Sequence, residues 1–138
     1  MVSDVVINKV AIIERCLARV EAEYLGHEDE LESNYTRQDS IILNLQRACE
    51  ATIDVAMHLV RTKKLGLPQE SRDAFDMLGD AGILLPGLRE RLKSMVGFRN
   101  VAVHDYRQLN LDVVRNILEK HLENFREFCR TALIAAGG

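Results

Sequence analysis

The chain has 138 residues, 47% hydrophobic and 28% charged, which suits one compact domain and excludes a disordered chain. Two prolines and eight glycines exclude collagen-like and linker-like sequences, and no apolar run reaches the roughly 18 residues of a membrane span. The formal net charge of −3 argues weakly against a nucleic-acid partner, which ordinarily leaves a basic footprint.

The chain opens Met1-Val2-Ser3-Asp4, without a basic segment before an apolar stretch, so no secretory signal is expected. Val6, Val10, Ile13, Leu17, Val20 and Tyr24 then recur at intervals of four and three, which predicts one helix over residues 3–25. The acidic stretch from Gly26 to Glu30 reads as a loop. Asp39-Ser40 can cap a second helix with the inward stripe Ile42, Leu45, Cys49, Ile53, Ala56 and Val60. Gly66-Leu67-Pro68 ends it. A short third helix is expected over residues 69–80, with Ala74, Phe75 and Leu78 inward and Gly79 and Gly82 closing it. Pro86 suits the first turn of a fourth helix, where its missing N–H costs nothing. A fifth starts near Leu111 and carries Val114, Leu118, His121, Phe125, Phe128 and Ala132, before a fraying tail at residues 135–138. Nothing alternates with period two for long enough to make a strand. The expected fold is a single all-α, mostly antiparallel bundle of four long helices and one short one, small enough to bury a face against a second copy.

Cys16, Cys49 and Cys129 form no C-x-x-C and lie in or beside apolar stripes, so they read as reduced thiols packed as small hydrophobes, which points to the cytoplasm. The phosphate-binding glycine motifs, H-E-x-x-H and G-x-S-x-G are all absent. The one acidic cluster, Glu28-Asp29-Glu30 with Glu32, reads as a solvated loop, so no metal site is expected.

The fourth helix carries the anomaly. Its stripe runs Leu88, Leu92, Met95, Arg99, Ala102, Tyr106, with arginine where the pattern wants an apolar residue. A buried arginine is costly unless paired or facing a cleft. Gly97, two residues earlier, invites close approach of another backbone. Asn100 and His104, four apart, share the adjacent face. A guanidinium suits phosphate oxygens, and an imidazole exchanges protons near neutrality. RNA carries its own nucleophile, the 2′-hydroxyl. Arginine plus histidine is therefore a minimal kit for cutting RNA without a metal. The same residues also permit a plain structural reading, in which Arg99 pairs with a carboxylate of another helix and His104 caps a helix end. His27, His58 and His121 suggest no role.

Arg99, His104 and Tyr106 fit the R-x(4–6)-H-x-Y motif of HEPN domains. The string from Met95 to Tyr106, the segment Pro68–Phe75 with Leu78 and Gly82, and Asp39-Ser40-Ile41 resemble the HepT-like branch along nearly the whole chain. That resemblance implies a HEPN-type helical bundle acting as a homodimer, with the two motifs meeting at a cleft. It implies a metal-independent endoribonuclease toxin needing no cofactor. It also implies a minimal nucleotidyltransferase antitoxin as partner, silencing the toxin by adenylylating Tyr106. Arg99 and His104 would be catalytic, with Asn100 and Tyr106 supporting the site. The alternative within the same resemblance is a non-catalytic HEPN subunit serving a nucleotidyltransferase. The charge fits RNA locally: residues 86–115 hold Arg89, Arg91, Lys93, Arg99, Arg107 and Arg115 against Glu90, Asp105 and Asp112, an excess of +3.

Overall fold

The computed structural model describes residues 3–137. Met1, Val2 and Gly138, which enter the expectations for the start and the tail, lie outside the described residues. Six α-helices follow one another: α1 (Asp4–Tyr24), α2 (Tyr35–Thr62), α3 (Ser71–Asp80), α4 (Pro86–His104), α5 (Leu111–Lys120) and α6 (Leu122–Gly137). Short 3-10 turns lie at Glu28–Glu30 and Tyr106–Gln108. The described residues contain no strand, so the expected all-α bundle is the fold observed.

The long α2 is the centre, touching α1, α3, α4 and α6. All six residues of the first expected stripe are buried in α1. In α2 the stripe is buried except at Ile53, which packs half-buried at the core's edge. Phe75 of α3 and Phe128 of α6 meet edge to face, ring centroids 6.1 Å apart, between the two ends of the sequence. Pro86 occupies the first turn of α4 as expected, and Gly82 turns the chain between α3 and α4 at φ +78°, where a Cβ would be strained.

Three boundaries differ from expectation. First, α2 starts at Tyr35 rather than after Asp39: the Asn34 side chain accepts the Arg37 N–H at 3.1 Å and caps it. The extra turn is largely solvent-facing and so carries no apolar signal. Second, the expected fifth helix is two, broken at His121, whose backbone leaves the helical region at φ −125° and ψ 0°. No proline or glycine marks the break. The buried Asn124 beyond it receives the Arg91 Nε–H at 2.8 Å and lies 3.2 Å from the His121 ring, so a polar knot sits inside an unbroken apolar stripe. Third, Ala135 and Ala136, expected to fray, continue α6 and pack against the core.

The three cysteines are unbridged and buried, as expected. Burial pushes Cys49 up to about 12 and Cys129 up to about 11, from an ordinary 9.0. Burial, then the Asp39 carboxylate, likewise raises Tyr106 from 10.0. Unfolded, these groups ionise near their ordinary values, so at alkaline pH unfolding releases protons. The stability they confer is complete below about pH 9 and is lost as pH rises toward 11–12. The denaturation midpoint is therefore expected to fall between about pH 8 and about pH 10.5. The fall should shrink in a Cys49→Ala, Cys129→Ala variant.

Candidate active site

The C-terminal half of α4 presents Arg99, Asn100 and His104. Gly97 makes room there, but for a side chain rather than a backbone. A Cβ at this position would lie 3.0 Å from Nη2 of Arg72, whose Nε donates to the Lys93 carbonyl at 3.3 Å and ties α3 to α4.

Arg99 is not buried: its side chain retains 29% exposure. Its Nη2 and Nε donate to one carboxylate oxygen of Glu50 on α2, at 2.9 and 3.2 Å, and its Nη1 donates to Asn100 Oδ1 at 3.3 Å. The carboxylate partner of the plain structural reading is thus present. What it leaves is a guanidinium held by Glu50 and Asn100 and still partly exposed. His104, the last helical residue, is exposed, and among the described residues its ring makes no hydrogen bond. It does not cap the helix.

Tyr106 does not continue the α4 stripe. The helix ends at His104, Asp105 takes φ −151° and ψ 54°, and Tyr106 opens the following 3-10 turn. The expected alignment of Arg99 and Tyr106 along one helix face therefore fails. Instead the Tyr106 hydroxyl crosses to α2 and donates to Asp39 Oδ1 at 2.5 Å. Burial and then this carboxylate push the hydroxyl up to about 12, although 43% of the residue remains exposed.

Asp39 and Glu50 are the residues sequence reasoning missed. They stand eleven apart on α2, three turns and about 16 Å along one face, and each holds one motif residue. That spacing was the available signal, but Asp39 read as a helix cap.

The segment 106–120 is held by a second polar group. Arg115 donates to the Tyr24 hydroxyl at 3.1 Å, to the Glu28 carbonyl at 2.9 Å and to the Glu32 carboxylate, while Tyr24 donates to Glu119 at 2.8 Å. The acidic loop is thus a clamp for the helix after the motif. Among the described residues no group of three or more His, Cys, Asp or Glu could hold a metal ion.

The expected basic field of residues 86–115 is mostly cancelled. Arg89 and Lys93 pair with Asp76 and Glu90, Arg91 with Glu127, Arg99 with Glu50 and Arg115 with Glu32. Glu90 entered the count along the chain; Asp76, Glu127, Glu50 and Glu32 did not, because they come from other elements. Beside the motif lies an apolar groove of about 400 Å³ between α4 and α5, lined in part by Met95, Phe98, Val101, Leu109, Val113 and Ile117.

The family Ribonuclease HepT-like matches residues 13–132. The chain is 48% identical over 126 residues to the mRNA nuclease HepT of Shewanella oneidensis, spanning 91% of this chain and 94% of that protein. A tri-AMPylated Shewanella oneidensis HEPN toxin, solved in complex with MNT antitoxin, matches with a TM-score of 0.89 and 47% identity, over 94% of this chain and 96% of that one. A toxin–antitoxin structure with AMP-PNP matches at the same TM-score with 46% identity, over 94% and 97% of the two chains. Among the described residues no helix is long and apolar enough to cross a membrane. With that identity sustained over nearly the whole length and the same helical course, the chain belongs to the HepT-like ribonuclease family.

Proposed function

We propose that this chain is the toxin of a toxin–antitoxin pair. It cuts RNA internally without a metal ion, at a cleft formed by two copies, and is silenced when a minimal nucleotidyltransferase antitoxin adenylylates Tyr106. The observation that carries this reading lies at the end of α4: a guanidinium oriented by Glu50 and, five residues on, an exposed imidazole that makes no hydrogen bond among the described residues.

Arg99 binds the non-bridging oxygens of the scissile phosphate and offsets the charge that builds there as phosphorus becomes five-coordinate. Asn100 steadies the guanidinium. The 2′-hydroxyl attacks phosphorus, and the new O–P bond forms as the bond to the 5′-oxygen breaks. One imidazole takes the 2′-proton, and an imidazolium gives a proton to the leaving oxygen. A single copy offers one His104 on an open surface; a twofold pair offers both groups and encloses them. The apolar groove beside the motif, with Val101 and Val113 outside the core, supports a second copy at this face. The cytoplasm, where RNA and reduced thiols coexist, is the compartment this activity requires.

The Asp39 contact explains how adenylylation would silence the site. An AMP on the Tyr106 oxygen removes the hydrogen donated to Asp39 and sets a phosphodiester anion against its carboxylate. The modified side chain is driven off α2 toward solvent, where the bulky anion repels an incoming RNA phosphate.

The test is RNA cleavage by the purified chain with and without EDTA. Rates are expected to be equal; activity lost in EDTA and restored by a divalent cation would overturn the metal-independent mechanism.

A further inference from the structure

We propose that the cleft between α1 and α2 is a binding track for the backbone of single-stranded RNA, with Arg15, Arg19 and Arg47 as its phosphate contacts. The proposal rests on the ribonuclease reading and extends it to a surface outside the R-x4-H-x-Y motif.

The cleft has a volume of about 610 Å³ and an unusual charge balance. One of its cations is spoken for, Lys9 pairing with Asp54 at 2.9 Å, and Glu50 is occupied by Arg99 from α4. That uses both carboxylates lining the cleft. Arg15, Arg19 and Arg47 remain, all exposed and, among the described residues, in no ion pair. They form one group rather than three scattered charges, because all three guanidinium groups oppose the upward shift that burial imposes on the Cys16 thiol beneath them.

Like charges one turn apart, as in Arg15 and Arg19, oppose folding. No carboxylate within the cleft relieves them. Such a cluster is complementary to an anion with regularly spaced charges. Arg15 and Arg19 are separated by about 6 Å of helix rise, on the scale of neighbouring phosphates of an extended strand. The cleft also leads to the motif: Glu50 forms part of its wall and holds Arg99 at 2.9 Å. A strand seated over Arg15, Arg19 and Arg47 therefore runs toward the scissile position. No aromatic ring lines the cleft, so contact is with phosphates rather than with stacked bases.

The experiment compares the wild-type chain with an Arg15→Gln, Arg19→Gln, Arg47→Gln variant, using an RNA of about twenty nucleotides. A 2′-O-methyl version of the same RNA, which lacks the nucleophile, reads binding whether or not the chain cleaves. The variant is expected to melt no lower than wild type and to bind the 2′-O-methyl RNA about tenfold or more weakly. Its plot of log affinity against log salt should be shallower by about 2, for three phosphate contacts on a single strand. KM for the cleavable RNA should rise, with kcat at saturation unchanged. An Arg→Lys triple variant, which keeps the charges, should recover most of the affinity. Unchanged RNA affinity and salt slope would overturn the track. So would loss of antitoxin binding with RNA affinity intact, which would assign the cluster to an acidic protein surface. Absence of cleavage by wild type, with RNA binding still dependent on the three arginines, would instead contradict the ribonuclease reading and leave the track standing.

Discussion

Arg99→Ala is expected to lower RNA cleavage about 10²–10³-fold, the usual loss when one preorganised donor to developing charge is removed. The protein should stay folded. The ion pair that disappears is partly exposed, at 29% and 37% for Arg99 and Glu50, and pairs of that kind contribute about 0.2–1 kcal/mol. The melting temperature should therefore move little while the rate collapses. A marked fall in melting temperature, with specific activity of the folded fraction retained, would make Arg99 a strut between α4 and α2. Arg99→Lys should rescue only weakly. A lysine is a point charge, and it cannot meet Glu50 through two donors while also facing a phosphate.

Tyr106→Phe is expected to abolish AMP incorporation completely. With ATP, Mg²⁺ and the antitoxin, the intact mass of wild type should rise by one or more AMP units, while that of the variant stays constant. The chain's other tyrosines make the assignment discriminating. Tyr24 is buried, with its hydroxyl engaged by Glu119 and Arg115, whereas Tyr35 is 71% exposed at the start of α2. An equal mass gain in Tyr106→Phe would move the modification to Tyr35. Folding should survive the change, since the partner left behind, Asp39, is exposed and can be hydrated.

Helical periodicity made most of the architecture legible. Val6 to Tyr24 is a stripe that only a helix can bury, and Pro86 and Gly82 carry backbone preferences that act locally. Where it failed, the determinant was polar and distant. The Asn34 cap begins a turn with no apolar face, and the break at His121 is stabilised by Arg91 reaching Asn124 from another helix. The motif residues were legible by type and spacing, yet their partners were not. Asp39 and Glu50 become meaningful only when α2 lies against the end of α4, and the turn after His104 moves Tyr106 off the helix face. The basic excess of residues 86–115 was a property of the chain, and the fold pairs most of it away. Arg15, Arg19 and Arg47, in no ion pair among the described residues, lie on α1 and α2, in a stretch that reads as acidic along the sequence.

In the proposed mechanism the exposed imidazole at the end of α4 moves the protons of RNA cleavage. The most direct measurement is the cleavage rate of purified His104→Ala against wild type, on one RNA, at matched concentrations of folded protein. A loss of about 10²-fold or more, with an unchanged melting curve, is the expected result. Cleavage by His104→Ala at the wild-type rate would contradict it.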